Sequence, residues 1–200
     1  MLDTTPDTDK MKWVSLPPFP GEGRILSTAA VCDSTLFIIG GCSLSRDNSG
    51  ETSRTYLSDM IGYDMTSKDP SKWGSSGRQQ LAGPGMPVAA AAGPAPVREN
   101  SILLIGGDKR GNSPDPSRPV VQSRDILVYD VIGNTWTRQG EWPVGIATVP
   151  AVVRGSEIMT ISGETAPGVR TPVNASASAG YHFEMSTCLL YTSPSPRDTR

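Results

Sequence analysis

Three short apolar runs closed by small turn residues set the rhythm of the chain: LFIIGG (36–41), ILLIGG (102–107) and IMTISG (158–163). Such runs, bounded by turn residues, predict strands buried on both faces. A small-residue segment precedes each one and reads as a first strand: STAAV from Ser27, VAAAA from Val88, and ATVPAVV from Ala147. After a long polar loop, the first two runs are followed by a third strand, DMIGYD (59–64) or DILVYD (125–130). Each of those leads to a tryptophan, Trp73 or Trp136, and Trp13 reads as the closing residue of an earlier unit. Successive tryptophans lie 60 and 63 residues apart, which is internal repetition.

Each unit is then a four-stranded antiparallel sheet that cannot bury both faces by itself. Paired glycines let backbones pass closely and turn sharply. The tyrosine and tryptophan supply apolar area between neighbouring sheets. Alanine-rich first strands suit the crowded centre of a radial arrangement, so the units read as blades of a β-propeller. The order apolar-GG, YD and W resembles kelch repeats, whose period of about 50 residues is stretched here by loop insertions. The expected fold is all-β, a partial kelch-type β-propeller within residues 1–187, with blades at about 24–73, 84–136 and 145–187, the last incomplete. Propellers typically close with about four to eight blades, so the chain is expected to be part of a longer one. The segment CLLYTSPSPRDTR (188–200) resembles a translated sequencing-adaptor tail and is set aside as non-native.

Composition narrows the chemistry. The chain has 200 residues, 19% charged and 6% aromatic, with 21 glycines and 18 prolines, which is turn-rich and helix-poor. A net charge of −2 gives no reason to expect nucleic acid or an anionic membrane as partner. No apolar run approaches the roughly 20 residues that span a bilayer. The opening MLDTTPDTDKMKW is polar and acidic and shows no signal peptide, which leaves the compartment open between bacterial periplasm and cytoplasm. Cys32, Cys42 and Cys188 lack metal-ligand spacing and read as buried free thiols. His182 is the only histidine, which argues against a histidine-based triad and against most zinc or copper sites, including that of a copper oxidase built on the same blade type. GGDKRGNS lacks the Gly-Lys-Ser/Thr ending of a phosphate loop, and GEGRIL lacks the third glycine of a dinucleotide fingerprint. No metal or other cofactor is expected.

In an up-and-down blade, the start of strand one and the end of strand two lie on the same face. The segments leaving strand two, 42–58, 108–124 and the stretch from Glu164, are long, as binding loops are. They carry Arg46, Arg54, Lys109, Arg110, Arg118, Arg124 and Arg170 against fewer acids, which suits a small anionic ligand. ISGETAPGVRTP (161–172) is the most pointed of these, setting Glu164 directly after a strand and Arg170 six residues later across a Pro-Gly turn. A carboxylate at a channel rim suits general acid–base work, and a guanidinium fork suits a substrate carboxylate. The other reading of the pair is a loop salt bridge worth ~0–1 kcal/mol.

SGETAPGVRT (162–171) resembles the Gly-Glu-x-x-Pro-Gly-x-Arg-Thr segment of the N-acetylneuraminate epimerases, or sialic acid mutarotases. KWVSLPPFPGEGR (12–24) is similar to their KW-x-x-L-x-x-FP-x-G opening. Those proteins are six-bladed kelch propellers, so about two and a half blades of six are expected here. The resemblance implies that Glu164 is the proton acceptor and that Arg170 lies in the active site. The implied reaction interconverts the α and β anomers of N-acetylneuraminate or a related sugar acid. Arg24, on the same face by the topology above, is a further candidate for binding the substrate carboxylate. Site residues carried by the remaining blades are missing from the chain, so the chain by itself is expected to be inactive. The alternative is a non-catalytic kelch propeller that binds protein or glycan. Such a module would present aromatic anchors on its loops, where Tyr56 is the only aromatic.

Overall fold

The computed structural model describes residues 13, 15–19, 22–73, 92–109, 119–155 and 157–170, together with the backbone of 74–75, 173–177 and 183–187. Several sequence expectations lie outside the described residues: the VAAA of 88–91, Arg110, Arg118, His182, Cys188 and the 188–200 tail.

The first sheet takes its strands from β1 (Thr28–Cys32), β2 (Thr35–Ile39), β5 (Met60–Asp64) and β6 (Gly74–Ser75) in that spatial order. Between its second and third strands, β3 (Cys42–Arg46) and β4 (Thr52–Tyr56) form a separate two-stranded ribbon. The second sheet repeats the plan with β7 (Val97–Arg98), β8 (Ser101–Ile105), β11 (Asp125–Asp130) and β12 (Thr135–Glu141), and its ribbon is β9 (Asp108–Lys109) with β10 (Val121–Gln122). The third uses β13 (Ala151–Arg154), β14 (Glu157–Thr160), β17 (Val173–Ala177) and β18 (Phe183–Thr187), with β15 (Glu164–Ala166) and β16 (Val169–Arg170) as its ribbon. Every pairing is antiparallel. Among the described residues no helix is long and apolar enough to cross a membrane.

The sequence pattern carried the third unit only through its second strand, yet β17 and β18 complete a four-stranded sheet. Their sequences, VNASA and FEMST, hold neither the YD step nor a tryptophan, so nothing in the repeat signature marked them. In the second blade the segment paired with β8 is PAPVR (94–98), which ends in β7. Pro94 and Pro96 lack N–H groups, but their carbonyls accept from Ile105 N (3.1 Å) and Leu103 N (2.9 Å). An innermost strand has a neighbour on one side only, so the missing donors are tolerated there.

Alternation sorts the core into two inter-blade layers. Ile102 and Leu104 on β8, with Leu127 and Tyr129 on β11, pack against Phe37, Ile39 and Met60 of the first blade. Their sequence neighbours Leu103, Ile105, Ile126 and Val128 face the other way, onto Trp142, Ile146, Val149 and Ile158. Tyr129 meets Phe37 edge to face, with ring centroids 5.7 Å apart. The middle sheet is thus covered on both faces, which explains its unbroken apolar strands. Cys32 and Cys42 are buried thiols, as their spacing led one to expect. Trp13, by contrast, is 78% exposed.

The backbone repeats as closely as the core. Leu26, Ala92 and Thr148 precede the three innermost strands, and all take the left-handed conformation, with φ of 58°, 58° and 52°. That geometry is unfavourable for a residue with a Cβ, and most so for β-branched threonine. It brings their amides into line across blades: Ala92 N donates to Leu26 O, and Thr148 N to Ala92 O, both at 2.8 Å. After strand two, Gly40, Gly106 and Ser162 share a second left-handed position (φ 55°, 65° and 61°). A Cβ on Gly106 would lie 2.3 Å from the Ile146 carbonyl, so the second blade needs glycine there for space as well as for φ.

Candidate functional site

The residue directly after each strand-two turn is Cys42, Asp108 or Glu164, and the backbone ties all three to the starts of innermost strands. Ile25 and Cys42 exchange N–H···O bonds of 2.8 and 2.9 Å, as do Ala147 and Glu164 at 2.9 and 2.8 Å. Gly107 N donates to the Ile146 carbonyl of the next blade at 2.7 Å, beside Asp108. The starts of strand one and the ends of strand two therefore share one face, and the three ribbons stand on it.

On the third ribbon, Glu164 pairs in register with Arg170, so their side chains leave the same side of the hairpin. The turn between them passes through Gly168 at φ 75°, and Gly168 N donates to Glu164 Oε1 at 2.8 Å. Glu164 is half-buried and Arg170 exposed. No ion pair joins the two among the described residues, so the turn, rather than the arginine, orients the carboxylate. The structure thus brings Glu164 and Arg170 together without consuming either in a salt bridge.

Arg24 is placed differently. Its guanidinium makes a bidentate bond with Asp59 (2.5 and 2.7 Å), donates to Gly40 O at 3.2 Å and to Glu22 O at 3.1 Å, and lies 4.8 Å from the centroid of Phe19. The side chain is only 5% exposed. It braces the start of the first strand against β5 and the glycine turn. Arg24→Ala would leave the Asp59 carboxylate and the Gly40 carbonyl without their charged donor. It should lower unfolding free energy by about 2–3 kcal/mol in urea titration, with Arg24→Lys recovering only part, since an ammonium cannot make the two-pronged bond.

Of the five expected loop cations among the described residues, three are also engaged. Lys109 bonds Asp125 at 2.8 Å, which also receives Arg138 at 2.8 Å and the Ser123 hydroxyl at 2.8 Å. Burial works against the Asp125 charge, but these donors outweigh it and hold its carboxyl at about 2. Arg124 donates to the Trp142 carbonyl at 2.9 Å, and Arg46 closes its own hairpin through Gly50 O at 2.9 Å.

Sequence reasoning missed Asp108. It is half-buried on β9, and Gln122 Nε2 donates to its Oδ1 at 3.0 Å. Gln122 lies on β10, the strand next to β15, which begins at Glu164. Burial pushes the Asp108 carboxyl up from its ordinary range, and the Glu164 charge pushes the same way; the Gln122 bond and the Arg54 charge, from the first blade's ribbon, pull it down. Superposing the repeats would have exposed it, because Asp108 holds the same post-glycine place as Glu164.

No family model matches the chain. Curated relatives named N-acetylneuraminate epimerase do. That of Yersinia enterocolitica is 24% identical over 193 residues, covering 82% of this chain and 47% of the relative. That of Haemophilus influenzae strain PittEE is 25% identical over 181 residues (80% and 46%). N-acetylneuraminate epimerase 1 of Escherichia coli O6:H1 is 25% identical over 197 residues (86% and 49%). The chain spans about half the length of the curated relatives it matches. The solved structure of YjhT superposes with a TM-score of 0.70 at 21% identity, covering 95% of this chain and 59% of that one. The likeness to the N-acetylneuraminate epimerases read from the sequence is borne out by these relatives, and the fold is that of a partial β-propeller.

Proposed function

We propose that the chain carries one side of the active site of a sugar-acid mutarotase, with Glu164 as general base and Arg170 as the anchor of the substrate carboxylate. The observation that carries this reading is the register pair on the third ribbon. A carboxylate oriented by a turn amide and a guanidinium with no ion pair among the described residues leave the same side of one hairpin, on the face where all three ribbons stand. Interconverting the anomers of a 2-keto sugar acid requires only that the anomeric hydroxyl lose its proton while the ring oxygen gains one, followed by reclosure on the other face. Glu164 can take that first proton, and general acid–base catalysis of this type contributes typically ~10²–10⁴-fold. A planar guanidinium recognises a carboxylate through two parallel bonds. In this reading Arg24 supports the site through Asp59 instead of contacting substrate.

The low identity of the relatives leaves N-acetylneuraminate itself as the leading substrate of a class, the 2-keto sugar acids. The test is NMR of anomer equilibration, starting from a single anomer of N-acetylneuraminate, with and without the complete protein encoded by the gene. Acceleration over buffer is expected. Binding of the sugar acid without acceleration would instead give the propeller the role of a glycan-binding module.

A further inference from the structure

Ring opening consumes a proton at one oxygen as it releases one at another, and a single carboxylate cannot serve both oxygens at the same instant. The structure holds a second carboxyl group on the neighbouring ribbon. Asp108 and Glu164 occupy equivalent places on adjacent blades, each directly after the strand-two turn. The intervening backbone runs from Gly107 through its 2.7 Å bond to Ile146 O, and from Ala147 through its paired bonds to Glu164. From the other side, Gln122 holds Asp108 Oδ1 at 3.0 Å while its strand lies against that of Glu164.

We propose that Asp108 is the acid partner of Glu164 in the acid–base pair, delivering a proton to the ring oxygen while Glu164 removes the proton of the anomeric hydroxyl. This rests on the mutarotase reading of Glu164. In the forward step the anomeric C–O(ring) bond breaks. Its electron pair goes to the ring oxygen, which takes the Asp108 proton and becomes a hydroxyl. The anomeric O–H bond breaks to Glu164 and its electrons form the carbonyl. Rotation about the bond next to the carbonyl presents its other face. The same hydroxyl then attacks and returns its proton to Asp108, and Glu164 returns its own to the carbonyl oxygen. Both carboxyl groups end as they began, and no further reactant is needed.

The surroundings suit that division of labour. Asp108 holds its proton more tightly than an ordinary aspartate, first through burial and then through the Glu164 charge. Among the described residues, the groups that act on it are Gln122 on its own ribbon, Glu164 on the third and Arg54 on the first. Its neighbour Lys109 is bound to Asp125 and does not neutralise it. A carboxyl group held protonated by its surroundings can serve as the acid of an acid–base pair.

The experiment measures anomer equilibration by NMR across pH for the complete wild-type protein, Asp108→Asn, Asp108→Glu and Glu164→Gln, with melting temperatures in parallel. Asp108→Asn should fold normally and lose about 10²-fold in rate. It should also lose the fall in rate that the wild type shows as rising pH strips the acid, and Asp108→Glu should restore both in part. An Asp108→Asn protein with wild-type rate and pH profile overturns the inference, while a slow Glu164→Gln protein leaves the base assignment standing. A rate loss with an unchanged pH profile also overturns it, reducing Asp108 to a support of its ribbon. If the wild type does not exceed buffer, the mutarotase reading fails and takes this inference with it.

Discussion

Glu164→Gln should lower catalysed anomer interconversion by about 10²–10⁴-fold while leaving the fold intact. The substitution keeps the size of the side chain, and the amide oxygen can still accept from Gly168 N, now 2.8 Å from Oε1, so the β15–β16 turn loses little. Under the proposed mechanism, what disappears is the basic lone pair that would take the anomeric proton. The proposed anchoring of substrate by Arg170 would be untouched, so kcat should fall with little change in KM. That pattern marks a group acting mainly in the transition state. Equal progress curves for wild type and Glu164→Gln would remove Glu164 from the mechanism. A rise in KM with unchanged kcat would turn it into a binding residue.

Which parts of this protein could be read from its sequence follows from what each part asks of its residues. The second strand of the middle blade, ILLI, is buried on both sides, which only a continuous apolar run satisfies; LFII buries Phe37 and Ile39 and leaves Leu36 and Ile38 half-buried, but its apolar run is equally legible. Strands β5 and β11 stood out too: Tyr129 packs between the first and second sheets, and Tyr63 is buried against Phe19 of the preceding segment. The innermost strand of the second blade did not, because strand status there depends on two proline carbonyls accepting bonds, and prolines argue for a loop in any local reading. The outer strands of the third blade were equally hidden, since VNASA and FEMST carry no part of the repeat signature.

The site divides along the same line. Glu164 and Arg170 lie six residues apart on one hairpin, and their pairing is a local property that a Pro-Gly turn already suggests. Arg24–Asp59 and Asp108–Glu164 are long-range relations. Arg24 looked like a free cation because Asp59 stands 35 residues away. Asp108 is marked in the sequence only by the match of GGD (106–108) to SGE (162–164) across repeats some 56 residues apart, which no local motif reveals. Among the cations of the three loops, the sequence shows positive charge but not the Asp125 cluster that engages Lys109.

Trp142→Ala should cost about 3–5 kcal/mol of stability, the most of any single replacement considered for the core. The tryptophan that the repeat pattern picked out in this blade is Trp136, but Trp142 is the one enclosed, at 1% exposure between the second and third sheets. Its ring packs with Ile126, Val128, Ile146 and Ile158, and its indole N–H donates to the buried Thr160 hydroxyl at 3.1 Å. Truncation opens a cavity in a layer that neither sheet can close alone and removes the donor to Thr160. Trp142→Phe keeps most of the contact area and should cost nearer 1–2 kcal/mol, the share of an unmade buried hydrogen bond plus the missing ring atoms. Trp136 offers the control. It packs on Tyr129 at 5.2 Å, but its buried Nε1 has no partner among the described residues, so Trp136→Phe gives up no hydrogen bond within them. Urea midpoints should therefore rank Trp136→Phe nearest wild type, then Trp142→Phe, then Trp142→Ala. The last replacement should also reach the site, because Ile146 belongs to the same layer and its carbonyl holds Gly107 beside Asp108. Loss of activity in Trp142→Ala at urea concentrations where the protein is still folded would show that this layer sets the spacing of the two ribbons.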